Sequence, residues 1–275
     1  HFQQGTSMTL VLICALIGVF AGLLGGALGL GGGVVIVPPL IYLFHALGFD
    51  DAVVAQMAVG TSLATIIVTA GSSVRAHHVA GFVRWPLAWR LAGGIVVGAL
   101  LGAVVADRLS GAMLTRLFGV FAVLIAAQML LSRRRAASAG DGLPERVPGG
   151  VGLAGVGSVI GGISSLFGIG GGSLTVPFLS WCRLPMQNAV AISAACGLPI
   201  ALAGSAGFVA TGWGRTELPP WSLGYVYLPA ALAIVVTSFP MARVGARLSH
   251  RLPSATLRRI FAAVLIVIGV ELILN

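Results

Sequence analysis

The chain alternates long apolar runs with short polar segments. A helix needs about 20 residues to cross a hydrocarbon core of roughly 30 Å, and several runs reach or nearly reach that length. These runs are Met8–Leu28, Val53–Val74, Pro86–Ala106, Leu114–Leu131, Ala189–Ala210, Trp221–Ala242 and Ile260–Leu274. They lack the alternation of polar and apolar positions that marks a membrane β-strand. The pattern therefore predicts an all-α polytopic membrane protein.

Composition and charge agree with a chain that is surrounded by lipid. The chain is 57% hydrophobic and 8% charged, whereas roughly a quarter of a soluble domain is charged. All 16 basic residues are arginines, and they lie in short segments between the apolar runs. Such placement is typical of topology signals and lipid headgroup contacts. The net charge of +9 therefore predicts the bilayer, and not nucleic acid, as a partner.

A glycine-rich motif occurs twice in the chain, at Gly29–Gly33 and at Gly168–Gly172, and each copy is soon followed by Val-Pro. Other segments recur in the same order: Ala58–Ser62 matches Ala189–Ser193, and Leu114–Phe118 matches Leu257–Phe261. Ordered repeats at similar spacing indicate duplication of one unit. We predict a first membrane repeat over residues 8–131, a polar linker over 132–150, and a second membrane repeat over 151–274.

The arginines predict how the two repeats are oriented. The glycine motif splits the first segment of each repeat, which then forms either one crossing or a hairpin. One crossing places eight arginines on each side of the membrane, whereas a hairpin places 13 inside and three outside. The positive-inside rule favours the hairpin. We therefore predict inverted repeats of about five helical segments each, a cytoplasmic linker, and both termini outside.

The hairpin of the second repeat has short arms. Val151–Phe167 has 17 residues and Leu174–Trp181 has eight, so the second arm reaches only about 12 Å. We expect its turn at Gly168–Gly172 to lie inside the membrane, as part of a broken or re-entrant hairpin.

Both glycine turns are candidates for a substrate site. Consecutive glycines cost roughly 1 kcal/mol each in a helix interior, and a helix break at membrane depth is tolerated only against protein or water. The N–H groups at the start of the following half-helix attract anions. The alternative is that glycines only allow close helix packing. We expect packing for most glycines, including Gly18, Gly22, Gly98 and Gly102.

The polar residues within the runs favour an anion over a cation. No Asp or Glu lies in the middle of a run, so no carboxylate is placed to bind a cation there. Hydroxyl, amide and guanidinium donors remain, and these suit a sulfonate or carboxylate oxygen. The candidate ligands are Gln56, Thr61, Ser62, Arg75, Ser173 and Ser193, together with Gly31, Gly32, Gly33, Gly170, Gly171 and Gly172. Against this, a membrane hydroxyl commonly bonds its own helix, and an arginine at a run's end commonly reaches the headgroups.

Catalysis and metal binding have little support in the residues. Gly204-Ser205-Ala206-Gly207 lacks the first glycine of a nucleophile motif because residue 203 is Ala, and no His or acid lies mid-run as a base. The cysteines, Cys14, Cys182 and Cys196, are odd in number and have no zinc-like spacing. We predict no enzyme activity, no metal and no cofactor.

Gly29–Pro38, Ala58–Leu63 and Gly168–Pro177 resemble the TauE/SafE sulfite exporter family, also called the toluene sulfonate uptake permease family. The resemblance runs from about Met8 to Leu274. It implies a secondary transporter, expected to be an exporter, of sulfite, sulfoacetate or other sulfonates in a bacterial inner membrane. It also implies that Gly31–Gly33, Thr61, Ser62 and Gly170–Gly172 line the central site.

The second repeat departs from this pattern, because Ala191-Ile192-Ser193 stands where the first has Gly-Thr-Ser. The two half-sites are therefore not equivalent. A channel, or a carrier for a different small solute, is the alternative function. The residues favour neither a proton nor sodium as coupling ion and assign no oligomeric state.

Overall fold

A computed structural model describes residues 2–28, 32–131, 147–249 and 254–274. Within these residues the chain forms ten helices and one short β-hairpin. They are α1 (Phe2–Leu28), α2 (Gly33–Ala46), α3 (Val54–Val79), α4 (Trp85–Arg108), α5 (Gly111–Leu131), α6 (Gly150–Leu166), α7 (Gly172–Trp181), α8 (Met186–Thr211), β1 (Ser222–Leu223), β2 (Val226–Tyr227), α9 (Leu228–Ser249) and α10 (Ser254–Leu274).

The helices have the lengths and surfaces of a membrane protein. Among the described residues, α3, α4, α5 and α8 are long and apolar enough to cross a bilayer, and five other helices contain shorter apolar stretches. Large apolar side chains point outward, with Leu124 61% exposed and Val236 71% exposed. A soluble protein rarely exposes so continuous an apolar surface. The predicted all-α integral membrane class is confirmed.

The outer helices pack in two similar pairs, each joining the two halves of the chain. Gly18 and Gly22 of α1 lie against Ile234 and Ser238 of α9, so α1 and α9 run in parallel. Three glycines of α4 lie against α6 in the same way: Gly94 on Ala154, Gly98 on Ser158 and Gly102 on Gly162. Small residues let membrane helices approach at backbone distance. The packing role predicted for Gly18, Gly22, Gly98 and Gly102 is confirmed.

Two long helices, α3 and α8, cross in the centre of the protein. Gly60 of α3 lies against Phe208 of α8, and Ala70 lies against Gly197. The contacts therefore run in opposite directions along the two chains, and α3 and α8 are antiparallel. At the periphery α5 packs on α10, where Gly119 and Gly269 face each other.

The helix pairs α1–α2 and α6–α7 each form a hairpin. The two hairpins approach each other from opposite ends of the protein. Phe44 and Phe49, at the end of α2, pack on Tyr227 with ring centroids 5.7 and 5.4 Å apart. The end of α2 therefore lies near the start of α9. Because α1 runs parallel to α9, α1 also starts at this end of the protein. At the other end of the protein, Pro148 before α6 and Arg183 after α7 line one cavity.

One predicted boundary is wrong. The apolar run Trp221–Ala242 predicts a continuous helix, but residues 222–227 form the β1–β2 hairpin and α9 begins at Leu228. Gly224 takes a positive φ of 53° in the two-residue loop, as such hairpins require. The all-α prediction missed this element because a short apolar strand and a helix turn have the same composition. Of the predicted linker, residues 132–146 lie outside the described residues.

The close pairing of α4 and α6 generates a prediction. Gly98→Val places a side chain into the Ser158 backbone, and overpacking of this kind destabilises by roughly 1–3 kcal/mol. Thermal unfolding in detergent should show a lower midpoint. Gly93→Val is the control, because nothing lies within 4 Å of a Cβ at this exposed position. Equal midpoints for the two variants would contradict the packing.

Candidate functional site

The two glycine turns meet in the centre of the protein. Gly33, the first residue of α2, lies against the backbone of Gly168 and Ile169, and a Cβ at Gly33 would stand 3.0 Å from the Ile169 Cα. Gly32 and Gly168 have positive φ angles of 74° and 66°, which glycine adopts without strain. Any side chain at Gly33 would separate the two turns.

The glycines, and not the following prolines, break the helices. The helices α2 and α7 begin at Gly33 and Gly172 and continue through Pro38 and Pro177. Both half-helices therefore start at the turns and point away from them. The predicted breaks are present in the described part of the chain, with Gly31 of the first turn outside it.

Both turns lie at mid-height of the long central helices. A Cβ at Gly33 would stand 2.9 Å from Ile66, which lies in the middle of the 26 residues of α3. A Cβ at Gly171 would stand 3.3 Å from the nitrogen of Gly197, in the middle of the 26 residues of α8. Since each helix is about 39 Å long, the turns are far from either end.

The second turn presents backbone N–H groups that have no helical partner. The first helical bond of α7 runs from the Thr175 N–H to the Gly171 carbonyl, at 2.9 Å. The N–H groups of Gly171, Gly172 and Ser173 have no backbone acceptor among the described residues. Such groups carry the positive end of the helix dipole. A buried anion is the ligand that they suit best.

Two predicted hydroxyls lie beside this turn and lack partners. Ser173 is 3% exposed and Ser193 is 2% exposed, and neither hydroxyl has a hydrogen-bond partner in the described structure. The Ser193 carbonyl oxygen would stand 3.1 Å from a Cβ at Gly171. In the described structure, the other hydroxyls without partners are those of Ser164, Ser165, Thr175, Ser205 and, in the β-hairpin, Ser222. Buried polar groups normally have a partner, so the hydroxyls of Ser173 and Ser193 are available to bond a polar ligand at this turn.

Ser62 and Thr61 are buried near the turns, but their hydroxyls already have partners. The Ser62 hydroxyl donates to the Gly168 carbonyl at 2.9 Å. The Thr61 hydroxyl accepts from the Tyr227 N–H at 3.0 Å. Ser62 therefore ties α3 to the second turn, and Thr61 ties α3 to the β-hairpin.

The structure does not bring Gln56 or Arg75 to the turns. The Gln56 amide nitrogen donates to the carbonyls of Ala106 and Leu109 at 3.3 and 2.9 Å, so it closes the end of α4. Arg75 is exposed and lies about 20 Å along α3 from Ser62. Gly32, Gly170, Gly171 and Gly172 are buried at the turns, together with Gly33.

Among the described residues, no carboxylate lies at the glycine turns. The acids in the described residues all lie near helix ends or in loops: Asp50, Asp51, Asp107, Glu217 and Glu271. In the same residues no three His, Cys, Asp or Glu side chains are grouped as metal ligands. The centre thus offers hydrogen-bond donors without a carboxylate, which suits an anion better than a cation.

Sequence reasoning missed a polar cluster beside the β-hairpin. The Asp107 carboxylate, at the end of α4, accepts from Arg215 Nη2 at 2.7 Å and from the Tyr225 hydroxyl at 2.8 Å. The guanidinium also stands 5.5 Å from the centre of the Tyr225 ring. Burial and, to a smaller extent, the hydrogen bond to Asp107 raise the pKa of Tyr225. The hydroxyl therefore stays protonated and remains a donor. No local motif predicts contacts between residues 108 or more positions apart.

Comparison with known proteins identifies the family. A family model described as sulfite exporter TauE/SafE matches residues 14–272. The chain belongs to the TauE/SafE family. The resemblance found in the glycine motifs is confirmed.

Curated relatives of this TauE/SafE chain are named as transporters. A probable membrane transporter protein of Haemophilus influenzae is 36% identical over 272 residues, covering 97% of this chain and 99% of the relative. Another from Methanocaldococcus jannaschii is 28% identical, covering 97% of each chain. The YunE protein of Bacillus subtilis, also a probable membrane transporter, is 30% identical over 95% of this chain and 97% of its own length. No solved structure matches this chain.

The hydrogen bond from Ser62 generates a prediction for this TauE/SafE protein. Ser62→Ala leaves the buried Gly168 carbonyl without its partner, at a cost of about 1–3 kcal/mol. We expect the midpoint of thermal unfolding to fall by several degrees, since 1 kcal/mol corresponds to about 2–4 °C in a chain of this size. Ser164→Ala is the control, because that buried hydroxyl has no partner to lose. A control that unfolds as early as Ser62→Ala would refute this role.

Proposed function

We propose that this protein is a secondary transporter that exports small sulfur-containing anions such as sulfite, sulfoacetate or other organosulfonates. The observation that carries the proposal is the second glycine turn, where N–H groups without helical partners lie beside the buried hydroxyls of Ser173 and Ser193. The family match and the transporter names of the relatives also support a transport function.

The proposed site binds by hydrogen bonds and the helix dipole instead of by an ion pair. Sulfite and sulfonate oxygens would accept from the N–H groups of Gly171, Gly172 and Ser173 and from the two serine hydroxyls. Gly32 and Gly33 contribute the start of α2 on the facing side. A site without a guanidinium holds its anion less tightly, because a charged donor strengthens each hydrogen bond. A carrier needs such moderate binding in order to release its substrate.

We further propose that the chain consists of two inverted repeats. The antiparallel crossing of α3 and α8 supports this arrangement, as do the similar α1–α9 and α4–α6 pairs. Transporters with inverted repeats place substrate near the membrane midplane and move one repeat against the other. The contact between Gly33 and Gly168 lies at the position where such a movement would open the site.

The proposed membrane is the bacterial inner membrane, with the linker in the cytoplasm and both termini outside. Of the 16 arginines, 13 then lie on the cytoplasmic side, as the positive-inside rule favours. In this orientation Arg183 and the α6–α7 opening face the cytoplasm, and Asp107 and Arg215 face outside.

The serines give the direct test of the site. In proteoliposomes loaded with sulfite, Ser173→Ala with Ser193→Ala should raise the KM for sulfite about tenfold or more, since a hydrogen bond to a charged group contributes roughly 1.5–3 kcal/mol. Ser158→Ala is the control, because its hydroxyl bonds the Ala154 carbonyl of its own helix at 3.0 Å. If the double variant shows saturable counterflow with an unchanged KM, these serines do not bind the substrate. Conductance that does not saturate would show that the protein is not a carrier.

Cysteine labelling tests the orientation. Gln187 is exposed at the start of α8, Thr216 is exposed in the loop after its end at Thr211, and the native cysteines are buried. In intact cells a membrane-impermeant maleimide should label Thr216→Cys, whereas Gln187→Cys should react only after lysis. The reverse pattern would overturn the proposed topology, and labelling of both would reject a full crossing by α8.

A further inference from the structure

An apolar groove opens toward the lipid between α6 and α7. It has a volume of about 340 Å³ and is lined by Gly155, Val156, Val159, Ile160, Ile163, Leu174 and Phe178. The groove exists because α7 has 10 residues and leaves part of the 17-residue α6 uncovered. Val159 is 61% exposed there. The lining is therefore suited to an acyl chain.

A second cavity continues the groove toward the end of α7. It has a volume of about 330 Å³ and is lined by Pro148, Phe178, Trp181, Cys182 and Arg183. Phe178 lines both cavities, so the two are adjacent. Trp181 is 80% exposed, and tryptophan is enriched where membrane proteins pass the headgroup layer. The path thus leads from an apolar groove to a polar end.

Arg183 supplies a positive charge at that polar end. Its side chain is half-buried, and its guanidinium has no hydrogen-bond or ion-pair partner in the part of the chain that the structure describes. A guanidinium binds phosphate through paired N–H donors. The group is therefore available to an external phosphate.

Arg183 has a backbone conformation that is unusual for an arginine. Arg183 has a left-handed φ of 64°, and it follows α7 in a helix-ending motif closed by two backbone hydrogen bonds. The helix α2 ends in the same motif around Gly48, with a φ of 73°. Glycine is the usual residue at this position because a Cβ is strained there. Strained residues concentrate at functional positions.

We propose that the α6–α7 groove is a phospholipid site, with one acyl chain along Val159 and Phe178 and the phosphate on the Arg183 guanidinium. Charge complementarity favours this occupant, because the apolar groove adjoins the Arg183 guanidinium, which has no partner among the described residues. The site is separate from the glycine turns and does not depend on the proposed substrate.

Native mass spectrometry of the purified full chain, titrated with phosphatidylglycerol, tests this site. Arg183→Gly should bind the lipid about tenfold more weakly, as expected for loss of a charged hydrogen bond. The variant is expected to fold, because glycine adopts this φ freely. Val159→Trp fills the groove and should weaken binding similarly. The controls are Arg90→Ala, at an exposed arginine, and Val267→Trp, at a valine 66% exposed on α10.

The expected result is a loss of lipid in both groove variants and in neither control. Equal lipid binding by the wild type and both groove variants would overturn the proposal. It would also be overturned if Val159→Trp converted a dimer to a monomer without changing lipid binding, because the groove would then be an interface between two copies of the chain.

Discussion

The two halves meet in the centre of the protein through a contact between backbones that carry no side chains. Gly33 can lie on Gly168 only because neither has a Cβ, and the Ser62 hydroxyl holds the Gly168 carbonyl from α3. The helices α2 and α7 begin beside this contact, and the first N–H groups of α7 have no backbone acceptor among the described residues. In a bilayer such groups are tolerated only where protein or a polar ligand meets them. The proposed anion site follows from this constraint.

The same constraint separates positioning residues from proposed ligands. Thr61 and Ser62 hold the β-hairpin and the second turn, while Ser173 and Ser193 keep hydroxyls without partners. Toward the opposite face, Asp107 joins α4 to the β-hairpin through Tyr225 and Arg215. Of these links, the hydrogen bond from Ser62 joins the two halves directly at the second turn.

Much of the fold could be predicted from the sequence because lipid imposes simple rules. The apolar runs predicted the helices, and the duplicated motif predicted the two turns. Small residues such as Gly98 indicated close helix packing. The α9 boundary was missed because the apolar hairpin at 222–227 resembles a helix in composition. Within the site, residue type alone did not distinguish Ser62, bonded to a carbonyl 106 positions away, from the unpartnered Ser193. Hydroxyl partners are a property of tertiary packing, as is the distance of Arg75 from the turns.

The most direct test of the account is a structure determined with selenite, a heavier analogue of sulfite, located by its anomalous scattering. We predict one anomalous peak within hydrogen-bond distance of the N–H groups of Gly171–Ser173 and next to the hydroxyl of Ser193. A selenite peak elsewhere, or an uninterrupted helix through Gly168–Gly172, would contradict the claim that the glycine break binds the anion.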